Sequence, residues 1–118
     1  MSIIKVINSF KYAYQGIKKV FKEERNFRIH SFCAVIVLIS SIFIFNFSYI
    51  ELALTFICIS MVLSMEIINT VIENSWDHLE PNHHHVVKSV KDMMAGAVVI
   101  TVLFSMFVWI SILVHKFF

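Results

Sequence analysis

The sequence predicts an all-α integral membrane protein: an N-terminal interfacial amphipathic helix followed by three transmembrane helices, with the N-terminus inside and the C-terminus outside. Three observations carry that expectation. First, 58% of the 118 residues are hydrophobic and 15% charged, with a mean hydropathy of +0.79. A globule this small buries only a limited fraction of its surface and could not hide so much apolar area from water. Second, two glycines and one proline leave long stretches free to be helical. Third, seven of the ten Lys and Arg residues fall in residues 1–30. Counting positive charge inside therefore places the N-terminus and the second connection in the cytoplasm.

The elements follow in order, as one domain over residues 1–118. Residues 1–22 read as a surface helix. Ile3, Ile4, Ile7, Phe10, Tyr14, Ile17 and Phe21 recur at helical steps, and Lys5, Lys11, Lys18, Lys19 and Lys22 lie largely off that stripe. A basic amphipathic helix of this kind lies along headgroups. Gly16 weakens it by about 1 kcal/mol relative to Ala and leaves room for a ligand or a neighbouring helix. Residues 23–30 form a charged knot, in which Arg25 and Arg28 can snorkel toward phosphates. Glu23 and Glu24 fit beside cations better than beside an anionic leaflet. The first span covers about residues 31–48 and is expected to remain as an anchor, because no small-residue cleavage site follows it. Residues 46–49 make a tight connection without a basic residue. The second span covers about residues 52–76 and the third about residues 93–114, with a loop at 77–92 in which Pro81-Asn82 marks a turn. Ala95-Gly96-Ala97 would let helices approach closely at the start of the third span. Cys33 and Cys58 sit in apolar runs and read as packing residues.

The chemistry concentrates in the second span. After the uncharged run 52–65 come Glu66, Asn69, Glu73 and Asp77. At 100° per residue they fall at about 0°, −60°, −20° and +20°, one narrow stripe over about three turns. A carboxylate in hydrocarbon costs roughly 2.5–3.5 kcal/mol, so three on one face call for a cation or partner. With Glu24, Arg28, Lys91 and Asp92 gathered at the same face, the inventory suits phosphoryl transfer. Paired carboxylates suit magnesium, a lysine suits phosphate oxygens, and a further carboxylate can take a hydroxyl proton. The alternative is a non-enzymatic assembly whose acid seam sets packing or conducts ions; such a seam has no need of Lys91, Asp92 and Glu24. A Gly-rich phosphate loop, paired dinucleotide glycines and a protein-kinase catalytic loop are all absent. His83, His84 and His85 are adjacent, point in different directions and would chelate one ion poorly. No nucleic-acid partner is expected.

The pattern Glu66-x-x-Asn69-Thr70-x-Ile72-Glu73-x-x-x-Asp77, then His84, then Lys91-Asp92-x-x-Ala95-Gly96-Ala97-Val98 resembles the bacterial membrane-integral diacylglycerol kinase family. The resemblance extends to Tyr12-x-x-x-Gly16 and to residues 24–30, and this last block with Asn69-Thr70 is more similar to the undecaprenol kinase branch. It implies a homotrimer in the bacterial cytoplasmic (inner) membrane that phosphorylates a lipid alcohol with ATP and Mg2+. Undecaprenol, giving undecaprenyl phosphate, is favoured over diacylglycerol, giving phosphatidic acid. By the same resemblance Glu66 is the general base, and Glu24 and Glu73 are the metal carboxylates. Tyr12, Glu24, Glu73, His84, Lys91 and Asp92 contact the nucleotide. Glu66, Asn69, Arg28 and Gly16 contact the lipid end, and Asp77 supports the site. The chain departs from the family pattern at Lys5, where an Arg is frequent, at His83, which replaces an aromatic, and at Met93-Met94, which replace smaller residues.

Overall fold

The computed structural model describes residues 2–79 and 85–118, and among these the chain is helical apart from breaks at Glu24 and residues 45–48 and the end residues 2 and 118, with no strand. The order is α1 (Ile3–Glu23), α2 (Arg25–Ile39) continued by a π-helical turn (Ser40–Ile44), α3 (Tyr49–Leu79) and α4 (His85–Phe117). Three stretches are long and apolar enough to cross a membrane: Arg25–Ile44, Tyr49–Leu79 and His85–Phe117.

Each boundary has a local cause. Ser2 caps α1 by accepting the Lys5 N–H at 3.3 Å. Glu24 leaves the helix in extended geometry (φ −108°, ψ 112°), which turns the chain from α1 into α2. Arg28 closes that corner: its Nη1 donates to the carbonyls of Phe21 at 3.0 Å and Lys22 at 2.7 Å, satisfying acceptors that the end of α1 leaves open. Phe27 is buried beside Phe21 in an edge-on contact. At the far end of α2, the Ser40 and Ser41 hydroxyls donate back to the Ile36 and Val37 carbonyls. Such back-bonding competes with the regular ladder, and the helix widens into its π turn there. Asn46 then adopts φ 50°, the left-handed region that Asn tolerates better than most residues. A capping box starts α3: Ser48 Oγ accepts the Glu51 N–H at 3.2 Å, and Glu51 Oε1 accepts the Ser48 N–H at 2.7 Å.

The helices extend further than hydropathy alone indicates. The polar segment 77–92 is helical at Asp77 to Leu79 and again from His85. Val87, only 2% exposed, holds the start of α4 in place, and Lys88 pairs with Asp92 one turn on at 2.7 Å. With 31 and 33 residues, α3 and α4 reach about 46 and 50 Å at 1.5 Å per residue, against a hydrocarbon core of roughly 30 Å. The expected turn at Pro81-Asn82 lies outside the described residues.

α4 lies along α3, α2 packs on α3, and α1 meets α2. The end opposite the α1–α2 corner is closed by Phe45, Phe47, Trp109 and Phe117. Trp109 Nε1–H donates to Ser41 Oγ at 3.0 Å, and Lys116 pairs with Glu51 at 3.2 Å. Among the described residues the buried side chains are as often polar (Ser41, Thr55, Glu66, Asn69, Thr70) as apolar, while large apolar side chains such as Phe104 and Phe107 face outward. A water-soluble domain does the opposite; this is the surface of a membrane protein.

Candidate functional site

Glu66 sits within α3 and is 4% exposed. The only charge-bearing side chain within ion-pair range of it, among the described residues, is His30 on α2, with Nε2 3.6 Å from Glu66 Oε2. One turn along α3, Thr70 donates its hydroxyl to the Glu66 carbonyl at 3.0 Å, so this β-branched residue is satisfied without disturbing the carboxylate. Asn69, one turn from Glu66 on the same face, has its Oδ1 buried without a hydrogen-bond partner. A buried orphan acceptor costs about 1–3 kcal/mol, and Asn69 carries one a single turn from a buried acid.

Toward the α1–α2 corner the stripe continues. Glu73, two turns on, and Glu24, at the corner itself, are half-buried, and both carboxylates act electrostatically on Glu66. Asp77 comes next and pairs with Lys91 of α4. Lys91 is 19% exposed, so its ammonium is held at the end of the acid stripe rather than extended into solvent. Lys88 and Asp92 form the outermost, well-exposed pair.

The fold therefore joins the sequence-predicted Glu66, Asn69, Glu73, Glu24, Asp77 and Lys91 into one strip across the α1–α2 corner, α3 and α4. It does not join all of them. Tyr12 and Gly16 lie on the exposed α1, and a Cβ at Gly16 would meet nothing within 4 Å. Arg28 is engaged with the end of α1, and Asp92 with Lys88. His84 lies outside the described residues. The contact that sequence reasoning missed is His30. It is the last ionisable residue before the first apolar run, and that position was the available signal.

Among the described residues no group of three or more His, Cys, Asp or Glu side chains is arranged to hold a metal ion. Glu24 and Glu73 offer two hard oxygen donors, which matches magnesium, an ion that completes its shell with waters and substrate phosphates. Beneath His30 an apolar cleft of about 160 Å³ opens between α2, α3 and α4 and runs past Val37, Cys58 and Val62 to Thr55 and Trp109.

Residues 11–113 match the family described as prokaryotic diacylglycerol kinase. The chain is 36% identical over 108 residues to the undecaprenol kinase of Bacillus subtilis, covering 92% of this chain and 87% of that protein. It is 33% identical over 108 residues to the diacylglycerol kinase of Haemophilus influenzae, covering 92% and 91%. A diacylglycerol kinase of Synechocystis is 34% identical over 93 residues, covering 78% of this chain and 53% of that protein.

Proposed function

The chain belongs to the prokaryotic diacylglycerol kinase family and is a lipid kinase, and from that premise we propose that it transfers the γ-phosphoryl group of ATP to the hydroxyl of undecaprenol, yielding undecaprenyl phosphate. The observation that carries the reaction is the one buried carboxylate among the described residues, Glu66, one turn from an orphaned amide oxygen within a membrane-spanning helix. Glu66 accepts the hydroxyl proton as the lipid oxygen bonds to the γ-phosphorus and the bond to the ADP leaving group breaks. Asn69 accepts a hydrogen bond at the lipid end and steers the alcohol toward Glu66. Arg28, at the α1–α2 corner, and Gly16, on α1, border the lipid path.

Glu24 and Glu73 would hold Mg2+, whose charge, when bound, would offset that of the phosphates. About 10 Å separates residues 66 and 73 along the helix at 1.5 Å per residue. That span lets the lipid keep its tail in the bilayer while its hydroxyl meets the nucleotide. Lys91, released from or shared with Asp77, faces the phosphates; Asp92, Tyr12 and His84 complete the nucleotide contacts. Tyr12 lies on α1, away from the strip, and a homotrimer with sites shared between copies would bring it to a neighbour's acids. α1 rests in the headgroups of the bacterial inner membrane with the N-terminus cytoplasmic.

Diacylglycerol is the second reading, favoured by the names of the Haemophilus and Synechocystis relatives. Undecaprenol is supported by the Bacillus relative's name and by residues 24–30. The test offers undecaprenol and diacylglycerol in parallel to purified protein in mixed micelles with labelled ATP. Faster labelling of undecaprenol is expected; labelling of diacylglycerol alone transfers the assignment to the second reading.

A further inference from the structure

We infer that His30 is a positioning residue for Glu66: it holds one carboxylate oxygen so that the other is presented to the lipid hydroxyl. This rests on the proposed kinase reaction and adds to it a residue outside the acid stripe. His30 Nε2 lies 3.6 Å from Glu66 Oε2, with the two side chains 28% and 5% exposed. Among the described residues no other charged group lies within ion-pair range of Glu66; the acids Glu73, on its own helix, and Glu24, at the corner, are further off. A glutamate with three side-chain torsions and no other ion-pair partner has no fixed aim without an anchor. His30 supplies one from a different helix, so the direction of the carboxylate is tied to the packing of α2 on α3.

The position of His30 strengthens the point. The same imidazole lines the end of the apolar cleft nearest Glu66. It stands where the base meets the space between the three spanning helices, and an apolar chain seated in that cleft would bring its polar end to the pair. The proton still passes from the lipid hydroxyl to Glu66. His30 transfers none; its Nε2 faces Oε2 at ion-pair range, and Oε1 is left to take the proton.

The test measures steady-state kinetics of wild type, His30→Leu and His30→Gln in mixed micelles, varying lipid alcohol and ATP separately, with thermal unfolding and oligomer size recorded for each. His30→Leu removes the anchor at similar bulk, and kcat should fall roughly tenfold to a hundredfold, the scale of a misplaced reacting group. KM for ATP should stay within about twofold, since no nucleotide contact is lost. His30→Gln restores a side-chain N–H donor and should recover most of the loss. Should His30→Leu fail to assemble, His30→Met takes its place. Unchanged kcat in these variants overturns the inference, and so does a loss that tracks the unfolded fraction or that Gln fails to relieve. A wild type that labels no lipid alcohol overturns the proposed function and this inference together; an active wild type with indifferent His30 variants overturns this inference alone.

Discussion

Glu66 and Glu73 occupy the same face of one helix, yet their surroundings assign them different work. Glu66 is buried and meets His30; Glu73, two turns along, is half-buried. Glu66→Gln keeps the shape and removes the proton acceptor. Turnover should fall about 10²–10⁴-fold, the range for a general base, with ATP affinity and assembly retained. Near-normal rates in this variant would remove Glu66 from the base role. Glu73→Gln deletes one of two hard donors, and the magnesium concentration for half-maximal rate should rise by roughly tenfold, equivalent to about 1.4 kcal/mol of binding. An unchanged magnesium titration would take Glu73 out of the metal role. The stripe itself was legible from the sequence because four polar residues at helical spacing need nothing but the helical period. The His30–Glu66 pair was not, because its partners lie 36 positions apart and meet only once α2 packs on α3.

At the scale of the element, hydropathy and helicity part company. An apolar count ends the second span near residue 76 and begins the third near 93, whereas α3 runs to Leu79 and α4 starts at His85. Charged residues stop a hydropathy window but not a helix, and here Lys88 with Asp92 and the buried Val87 sustain it. These extensions are what carry Asp77 and Lys91 into contact. Asp77→Asn should loosen Lys91 and raise KM for ATP while leaving the lipid KM unchanged; a lipid effect of equal size would argue against a nucleotide-side role for the pair. The other end of α3 was readable in principle, since Ser48-Tyr49-Ile50-Glu51 is a capping-box sequence. Ser48→Ala should lower stability by about 1 kcal/mol, seen as a reduced unfolding temperature, with kinetics at the distant site unaltered.

For the molecule as a whole, the polar groups segregate to two ends. The end at the α1–α2 corner holds Glu24, Glu73, Asp77, Lys91 and Asp92; the other holds Glu51, Lys116 and the aromatic cluster around Trp109. An odd number of spans, Arg25–Ile44, Tyr49–Leu79 and His85–Phe117, places the start of the first and the end of the third on opposite sides of the bilayer if all three cross it. The charge bias is the basis of the proposed orientation: Lys5, Lys11, Lys18, Lys19 and Lys22 precede the first span and Arg25 and Arg28 lie in its first turn, whereas Lys116 alone lies in the last turn of the third. In the proposed orientation the basic N-terminal segment stays on the cytoplasmic side, and the end that carries the acid strip stays with it. Cys33 and Cys58 are free thiols and would confuse a labelling experiment, so the test uses a Cys33→Ser, Cys58→Ser background carrying either Ser2→Cys or Phe118→Cys. In intact cells a membrane-impermeant maleimide should label Phe118→Cys and spare Ser2→Cys until the membrane is opened. The reverse pattern would put the acid strip on the side without ATP, and the kinase mechanism could not operate in that orientation.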